Sequence, residues 1–482
     1  MASGPSKLRV AFIHPDLGIG GAERLVVDAA LGLQKLGHDV VIYTSYHDPG
    51  HCFDETRDGT LKVRHIVSPF PRSLKGKFHS ALAHARQLHL TNYLIQHEGS
   101  SYDIYFVDIL STCVPILRLF TGVRVAFYCH FPDKLLANGA YVEGKMKKGG
   151  LLKQLYRLPM DWLEEKTTGS ADIIFANSKF TSRVFKLHLP SIIQTPRVVY
   201  PGINLAAYEP QAGRTGDPDV AQVTSQGSTN ICLNQPLRSE EKCHVGSRSI
   251  LCAAGKTREQ RTFGCPQNAR LVIAGGYDPR VEDNIMTLAG LIDRAKSSSL
   301  TFDVIKPPGS STNIPPFVTT PENPDIVFLL NFTTPQRATL LSAPSTVALL
   351  YTPTNEHFGI GPVEAMVCGL PVLACDSGGP TESVLDAPAK ERTGWLRSPD
   401  PEVWAVALEE IISMSPEERS QLGKRSQTRP GRNFGMEAMA KALEHSLTEV
   451  VALGRVPTPT WVYGLIAAIM LLIAYIVALI FQ

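Results

Sequence analysis

The chain lacks the features that mark several common classes of protein. Its nine cysteines are scattered over 482 residues without paired short spacings, so neither a disulfide framework nor a zinc site is indicated. The formal net charge is only +2, which gives no support to nucleic-acid binding, because that function normally needs a basic face. The length allows two domains of the usual size, about 150 residues each, plus appendages.

A signal segment is also missing, since residues 7–44 alternate apolar and polar residues from the start. By contrast, residues 461–481 form a run of 21 residues without a charge that opens with Trp461 and Tyr463. This run matches the ~20 residues that cross a bilayer. The cations before it are Lys424, Arg425, Arg429, Arg432 and Arg455. The sequence therefore predicts a C-terminal transmembrane helix with the body of the chain in the cytosol.

The most informative motif is Asn355–Glu364, a glycine-rich turn between a predicted strand at 346–351 and a predicted helix. Backbone amides of such a turn, added to the positive end of a helix, form an anion site that can hold a diphosphate without a metal ion. The residues predicted to bind a donor in this way are Phe358, Gly359, Ile360 and Gly361.

Two glutamates lie eight positions apart around this turn. Glu356 can accept hydrogen bonds from sugar hydroxyls or face a developing positive charge, while Glu364 can grip both hydroxyls of a ribose. A single glutamate in a first helical turn would more often serve the helix dipole alone. The pair, together with the glycines, favours a nucleotide-sugar site.

Two further candidate sites lie in the N-terminal half. Gly20 and Gly21 stand in a turn between a predicted strand at 8–14 and a predicted helix at 22–36, where backbone can approach a phosphate or an acceptor. A plain tight turn is the alternative. His130 follows an apolar strand, at the edge where open α/β sheets bind ligands, although a histidine there is more often a structural one.

Residues 139–166 combine cations with apolar residues. The cations are Lys145, Lys147, Lys148, Lys153 and Arg157, interleaved with Leu151, Leu152, Leu155, Leu158, Met160 and Trp162. This pattern is typical of an amphipathic helix that lies on an anionic leaflet, where each cation contributes about 1 kcal/mol. A solvated helix face is the alternative interpretation.

The Glu356-x7-Glu364 spacing resembles the signature of the family-4 retaining glycosyltransferases. The chain is further similar to the mannosyltransferases of dolichol-linked oligosaccharide synthesis over residues 8–210 and 270–450, where His14–Arg24, Tyr351–Gly359 and Cys375–Glu382 carry the likeness. The resemblance implies the glycosyltransferase-B fold, which is an α/β class with two facing Rossmann-like domains. It also implies that the endoplasmic reticulum membrane holds the protein, with both domains in the cytosol.

The implied reaction is the retaining transfer of mannose from GDP-mannose to mannosyl-chitobiosyl-diphosphodolichol, which adds one alpha-1,3 and one alpha-1,6 linkage. No metal and no cofactor is expected besides the donor substrate. The resemblance gives catalytic roles to Glu356, Glu364 and His130, and phosphate or acceptor binding to Gly20 and Gly21. The expected partners are the dolichol-diphosphate oligosaccharide, the membrane and other mannosyltransferases of the pathway.

The resemblance lapses in the middle of the chain. The family carries an Asn-Arg-Phe-Glu-x-Lys-Lys-Asn motif at a strand end, whereas Ile231–His244 lacks the motif and predicts no strand. Read one base later, codons for Ile231–Leu251 can encode that motif. The predicted divisions are an acceptor domain at 1–205, an anomalous insertion or frame-shifted segment at 206–269, a nucleotide-sugar domain at 270–450 and the anchor at 461–481.

Two other functions stay open at this stage. The missing cationic strand would suit a membrane-tethered, catalytically impaired subunit of a mannosyltransferase complex. A nicotinamide enzyme could share the fold, but Glu23 stands where a dinucleotide fingerprint has its third glycine.

Overall fold

The computed structural model describes residues 7–74, 78–99, 101–136, 141, 150–208, 221, 223–224, 229–234, 269–277, 281–305 and 323–457. The predicted anchor at 461–481 lies outside these ranges, as do Lys145, Lys147 and Lys148 of the predicted amphipathic segment. Within the ranges just given, no helix has both the length and the apolar character that crossing a membrane requires.

The first sheet is built from strands in the N-terminal part of the chain, all parallel. Its order is β3-β2-β1-β4-β5-β6-β7, and its strands are β1 (Arg9–His14), β2 (Asp39–Thr44), β3 (Lys62–His65), β4 (Ile104–Asp108), β5 (Arg124–Cys129), β6 (Ile173–Ala176) and β7 (Arg197–Val198). In β1, β2 and β5 every residue after the first is buried. Parallel strands covered on both faces are expected to read as such near-continuous apolar runs.

Helices cover both faces of the first sheet. Their bounds are α1 (Gly21–Lys35), α2 (His79–Glu98), α3 (Val114–Thr121), α4 (Asp133–Leu136), α5 (Leu151–Thr168) and α6 (Lys179–His188). The apolar side of α1 packs on one face, and residues of α2, α3 and α6 pack on the other. This arrangement confirms the predicted β-α-β start of the chain.

The second sheet is also parallel, with the order β10-β11-β9-β8-β12-β13-β14. Its strands are β8 (Thr229–Asn234), β9 (Ala269–Gly275), β10 (Phe302–Ile305), β11 (Ile326–Leu330), β12 (Thr346–Tyr351), β13 (Val372–Cys375) and β14 (Gly394–Arg397). The helices that follow these strands are α7 (Glu282–Ser297), α8 (Thr334–Ser342), α9 (Ile360–Val367), α10 (Pro380–Ser383), α11 (Pro401–Ser413), α12 (Pro416–Asn433) and α13 (Met436–Ala452).

The strand β8 corrects one expectation from the sequence. The segment 206–269 was expected to contain no strand, yet Thr229–Asn234 pairs in parallel with β9 on one side and with β12 on the other. Ile231, Cys232 and Leu233 are almost fully buried in this central position. Three consecutive apolar residues are enough here, because both neighbouring strands supply backbone partners. The second sheet therefore begins at Thr229, before the predicted boundary at 270.

The last described helix corrects a second boundary. Residues 436–450 were assigned to the nucleotide-sugar domain, but α13 packs Met439, Leu443 and Leu447 into the core of the first sheet, beside α1. Gly32 of α1 lies so close to α13 that a Cβ there would stand 2.7 Å from the Cβ of Ala440. The chain thus crosses from the first sheet to the second and then returns.

The two crossings pair with each other. Ile203, on the outward crossing, accepts a hydrogen bond from the amide of Met436 and donates its own to Phe434 on the return, at 3.1 and 2.9 Å. Gly202 is required at this contact, since a Cβ would lie 2.7 Å from Cα of Met436. Both crossings therefore form one joint between the sheets.

After α13 the chain runs along the first sheet at the start of β5. The guanidinium of Arg124, which begins β5, donates to the carbonyl of Gly454 at 2.8 Å, and the amide of Val456 donates to the carbonyl of Gly122 at 2.8 Å. The described C-terminal segment is thereby held at the amino-terminal edge of the first sheet.

Replacing Leu443 with alanine tests the placement of α13. Leu443 is fully buried, so L443A should lower the free energy of unfolding by about 2–5 kcal/mol and the melting temperature of the full chain with it. Leu453 lies at the end of the same helix and is 65% exposed, so L453A is the matched control and should have almost no effect. Equal melting temperatures for the two variants would contradict the packing described.

Candidate active site

Three polar side chains meet at the carboxyl-terminal edge of the first sheet. His14 ends β1, Asp108 ends β4, and His130 directly follows β5. The three strands are neighbours in the sheet. Both carboxylate oxygens of Asp108 lie 2.9 Å from Nδ1 of His14, and Oδ2 also lies 3.0 Å from Nε2 of His130. Because an ionised carboxylate only accepts hydrogen bonds, both imidazoles donate to Asp108.

The environment of this cluster favours its charged form. Burial disfavours the imidazolium of His14, but the adjacent Asp108 carboxylate outweighs it and the pKa of His14 is raised. For Asp108, burial alone would raise the pKa, whereas His14 and His130 outweigh this and hold it below its usual value. The sequence predicted His130 as a site residue but did not give a role to His14 or Asp108, since β1 and β4 are neighbours in the sheet although β2 and β3 lie between them in the chain.

The Gly20–Gly21 turn begins α1 next to this cluster. Gly20 is the N-cap of α1, and the carboxylate of Glu23 covers it so closely that a Cβ on Gly20 would meet Oε2 at 2.2 Å. A Cβ on Gly21 would meet no atom within 4 Å. Both glycines thus lie at the turn where α1 begins, and their role as phosphate or acceptor ligands stays a prediction.

The charge of Glu23 decides which ligand this turn suits. Two like unit charges 4 Å apart repel by about 4 kcal/mol at an effective dielectric constant of 20. A helix N-terminus offers an anion only about 0.3–1 kcal/mol at an exposed site. With the Glu23 carboxylate above Gly20, a neutral hydroxyl fits this turn better than a phosphate.

The second sheet contributes the turn from Asn355 to Gly359, which joins β12 to α9. Asn355 adopts a positive φ of 53°, and Gly359, the N-cap of α9, adopts a φ of 85°. The turn lies against a glycine pair at the end of β13: the amide of Gly379 donates to the carbonyl of Glu356 at 2.7 Å. A Cβ on Gly378 would lie 2.4 Å from that carbonyl oxygen. The glycine pair thus fixes the backbone of Glu356.

Within this turn, the residues predicted to bind a donor differ in what they expose. Phe358 is almost fully buried, with its ring 5.7 Å from that of Tyr200 and 5.6 Å from that of Phe434. This aromatic cluster leaves only the backbone of Phe358 for a ligand. Ile360 and Gly361, which were predicted to lie in the turn, instead form the first two positions of α9.

Glu364 is buried in the first turns of α9 and already has protein partners. Arg337, on α8, donates from Nη1 to Oε1 at 2.6 Å, and the hydroxyl of Tyr208 donates to the same oxygen. Burial and the Glu364 charge both raise the pKa of Tyr208, which keeps its hydroxyl protonated as a donor. The sequence identified Glu364 but neither of these partners.

The two sheets meet directly beside these groups. The ring of His357, next to Glu356, stacks on that of Phe131, next to His130, with centroids 3.9 Å apart and planes inclined by only 9°. The hydroxyl of Ser178 donates to the carbonyl of His357. These contacts bring the Glu356 turn of the second sheet against the His130 edge of the first.

A carboxylate reinforces the same junction. Glu382, on α10, accepts hydrogen bonds from the amides of Lys179 and Phe180 at 2.9 and 2.8 Å and from the hydroxyl of Tyr200 at 3.0 Å. The two amides open α6 of the first domain, so Glu382 caps that helix from the other domain. Arg429 holds the backbone of α10 through the carbonyls of Glu382 and Ser383.

Behind His130, the chain is held by Glu164 of α5. The Glu164 carboxylate accepts hydrogen bonds from the amides of Asp133 and Lys134 at 2.6 and 3.0 Å. Burial, with the nearby charge of Asp133, raises the pKa of Glu164 to about 7. The loop that carries His130 and Phe131 is thereby attached to α5.

Comparison with known proteins gives matches over nearly the whole chain. The model of "Glycosyltransferase Family 4" matches residues 19–207, and that of "Glycosyl transferases group 1" matches residues 322–429. The chain is 43% identical over 444 residues to "Alpha-1,3/1,6-mannosyltransferase ALG2" of Rhizomucor pusillus, covering 92% of each chain. It is 35% identical over 469 residues to the protein of the same name from Saccharomyces cerevisiae, covering 95% of this chain and 88% of that one.

Solved structures share the architecture. Sucrose-phosphate synthase from Thermosynechococcus elongatus is 18% identical with a TM-score of 0.67, covering 93% of this chain and 100% of its own. The catalytic domain of starch synthase IV from Arabidopsis thaliana, bound to ADP and acarbose, is 15% identical with a TM-score of 0.63 over 93% of this chain and 100% of its own. These likenesses confirm the predicted fold class of two facing parallel α/β domains.

Replacing Gly378 with alanine tests the support of the Glu356 turn. Gly378 has a φ of 72° and no room for a Cβ beside the Glu356 backbone. Gly59 has a φ of 90° with open space around it, so G59A carries the backbone strain without the clash. We expect G378A to lower the melting temperature more than G59A and to weaken binding of guanosine diphosphate, measured by calorimetry, by at least about 10-fold. Similar behaviour of the two variants would contradict this support.

Proposed function

Because the chain belongs to the alpha-1,3/1,6-mannosyltransferase family of glycosyltransferases, we propose that it moves mannose from GDP-mannose to mannosyl-chitobiosyl-diphosphodolichol. It adds one alpha-1,3-linked and one alpha-1,6-linked mannose and retains the configuration of the donor. The observation that carries this proposal is the junction at which the Glu356 turn of the second sheet meets the His130 edge of the first. Family membership supports the proposed reaction, and the junction is the proposed site of that reaction.

The donor binds on the second domain. The diphosphate of GDP-mannose lies at the amino-terminal end of α9, where the amides of Ile360 and Gly361 have no partner within the helix. Both described contacts of Glu364 use Oε1, which leaves Oε2 for the hydroxyls of the ribose. Arg337, already paired with Glu364, supplies positive charge next to the nucleotide.

The acceptor binds on the first domain, across the junction. His130 has a side chain that is 20% exposed, so it can reach a sugar hydroxyl while Asp108 holds its orientation. Glu356 lies on the opposite wall, where its carboxylate stabilises the positive charge that develops on the sugar ring in the transition state. In a front-face reaction the departing diphosphate takes the proton of the incoming hydroxyl, so the protein itself need not supply a nucleophile. The reaction as proposed uses neither a metal nor a further cofactor.

The alternative function, a catalytically impaired subunit, loses its main support. That alternative rested on a missing central strand, and Thr229–Asn234 forms this strand in the second sheet. The family's cationic motif would follow its carboxyl end, at residues outside the described ranges. Among the described residues, Arg337 is therefore the one cation that this proposal assigns to the diphosphate.

The protein works at a membrane surface, which we place at the endoplasmic reticulum with both domains in the cytosol. Residues 461–481 are proposed as the anchor, and α5 supports the proposal from the body of the protein. Four of its residues are 63–84% exposed: Leu151, Leu155, Leu158 and Trp162. At about 100° per residue they form a single stripe along the helix. Exposed apolar stripes of this kind mark contact with another surface, here the bilayer that carries the acceptor.

Transfer of mannose by the full chain tests the reaction. The purified protein should add two mannoses in succession from GDP-mannose, but none from GDP-glucose, to a mannosyl-chitobiosyl-diphospho-lipid, followed by mass spectrometry. E356Q should lower kcat about 100- to 1,000-fold, since it removes a charge placed for the transition state. The exposed Glu437 of α13 forms only a surface ion pair with Lys441, so E437Q is the matched control. Unchanged activity in E356Q would refute the catalytic role.

Two charges on the exposed stripe test the membrane contact. The double variant L155E/L158E should raise the KM for a long-chain acceptor in anionic vesicles several-fold, because charged residues oppose burial among lipids. Its KM for a short-chain acceptor in detergent-free solution should not change. Leu187 is 66% exposed and belongs to a different helix, α6, so L187E is the control. An equal effect on both acceptors would contradict the membrane contact.

A further inference from the structure

Four ionisable side chains of the first domain form a line with alternating types. Its order is His130, Asp108, His14 and Glu23: Asp108 lies within 3.0 Å of both imidazoles, and Nε2 of His14 lies 4.0 Å from Oε1 of Glu23. The side chains at the two ends are 20% and 22% exposed, while those of Asp108 and His14 are 1% and 0% exposed. The line thus has two ends at the surface and a buried middle.

One nitrogen in the buried middle of this line lacks a hydrogen-bond partner among the described residues. Nδ1 of His14 is used by Asp108, whereas Nε2 has no hydrogen-bond partner among the described residues and is fully enclosed. A buried polar atom without a partner is uncommon and needs an explanation. This atom faces the carboxylate of Glu23 across 4.0 Å, which is too long for a hydrogen bond but close enough for attraction between charges. The orphaned nitrogen therefore acts on Glu23.

Glu23 lies over the Gly20–Gly21 turn, and its side chain is partly exposed. Its carboxylate covers Gly20, and the space beside Gly21 is open. A carboxylate that is partly exposed and backed by a positive charge is suited to accept hydrogen bonds from a pair of vicinal hydroxyls. The same negative charge makes the turn unsuited to a phosphate group.

Resting on the proposed function, we propose that Glu23 binds hydroxyl groups of the acceptor's terminal mannose, and that the buried His14–Asp108 pair holds Glu23 and His130 as one acceptor-binding unit. Glu23 and His130 touch the substrate. His14 and Asp108 are positioning residues that act through them. The Gly20–Gly21 turn accordingly receives a sugar ring, and both diphosphates of the reaction lie elsewhere.

The direction of the pKa shifts agrees with this division. The pKa of His14 is raised, because the Asp108 charge, with a smaller contribution from Glu23, outweighs burial. A protonated His14 carries a hydrogen on Nε2 and presents positive charge to Glu23. A neutral ring that donates from Nδ1 to Asp108 would instead turn a lone pair toward the carboxylate.

The test compares the KM values for the two substrates in the full chain. E23Q keeps the shape of the side chain and removes its charge, so it should raise the KM for the mannosyl-chitobiosyl-diphospho-lipid about 10- to 100-fold, the usual effect of losing a charge-assisted hydrogen bond. The KM for GDP-mannose should change less than about twofold. An acceptor KM that equals that of the unmodified chain would overturn the proposal, as would a rise in the GDP-mannose KM alone.

His14 is tested through H14N, alone and combined with E23Q. Asparagine can reproduce the Nδ1 contact with Asp108 but not the nitrogen that faces Glu23. We expect H14N to raise the acceptor KM with little change in that for GDP-mannose, and H14N combined with E23Q to add little to E23Q alone. Fully additive effects on the acceptor KM would overturn the coupling between the two residues.

Controls separate this proposal from the function on which it rests. E437Q removes a glutamate charge from an exposed part of α13 and should leave both KM values unchanged. Melting temperatures of all variants show whether a change reflects unfolding, and E23Q is expected to melt like the unmodified chain because Glu23 is partly exposed. Absence of mannose transfer by the unmodified chain would refute the proposed function itself, whereas transfer that is indifferent to E23Q would refute only the present inference.

Discussion

The carboxylate of Glu382 is the contact on which the arrangement of the site depends. It belongs to the second domain but accepts hydrogen bonds from the first two amides of α6 in the first domain and from Tyr200 on the crossing between them. Amides at a helix start carry partial positive charge, so an anion from another domain meets a ready partner there. Because Glu382 follows the Gly378–Gly379 pair that supports Glu356, one short segment both joins the domains and shapes the Glu356 turn.

The interface around this contact is made of specific polar and aromatic groups. The Phe131–His357 stack and the Ser178 hydrogen bond to His357 fix the two walls against each other. The two crossings pair through Ile203 and through the rings of Tyr200 and Phe434. Hydrogen bonds of this kind contribute about 1 kcal/mol each. A handful of such hydrogen bonds can therefore set the relative position of two domains without making the junction rigid. The free energy of substrate binding is of the same order as their sum.

Sequence reasoning succeeded where the signal was local. The strand Asp39–Thr44 and the helix Thr334–Ser342 follow from apolar patterns, and the Glu356–Glu364 turn follows from glycine spacing.

Sequence reasoning failed where a structural feature depends on contacts between distant segments of the chain. Thr229–Asn234 contains too short an apolar run to be recognised without its neighbours, α13 packs on a domain that precedes it by hundreds of residues, and Asp108 acquires its role only because β4 lies between β1 and β5. Glu364 was identified as a site residue, and its role as a ligand for ribose stays a prediction. Its protein partners were not identified, since Tyr208 and Arg337 come from distant segments.

The contacts of Gly454 and Val456 with Arg124 and Gly122 have a consequence for the orientation of the molecule in the proposed membrane contact. His130 lies at the opposite end of β5, and a strand of six residues spans about 20 Å. If residues 461–481 form the anchor proposed above, it leaves the protein from the far side of the sheet. For the site to lie as near the lipid surface as the anchor does, the strands of the first sheet must run along the surface, so that the body reclines on the membrane. The proposed anchor would then restrict rotation of the body about one axis only. The apolar stripe on α5 would fix its rotation about the other axis.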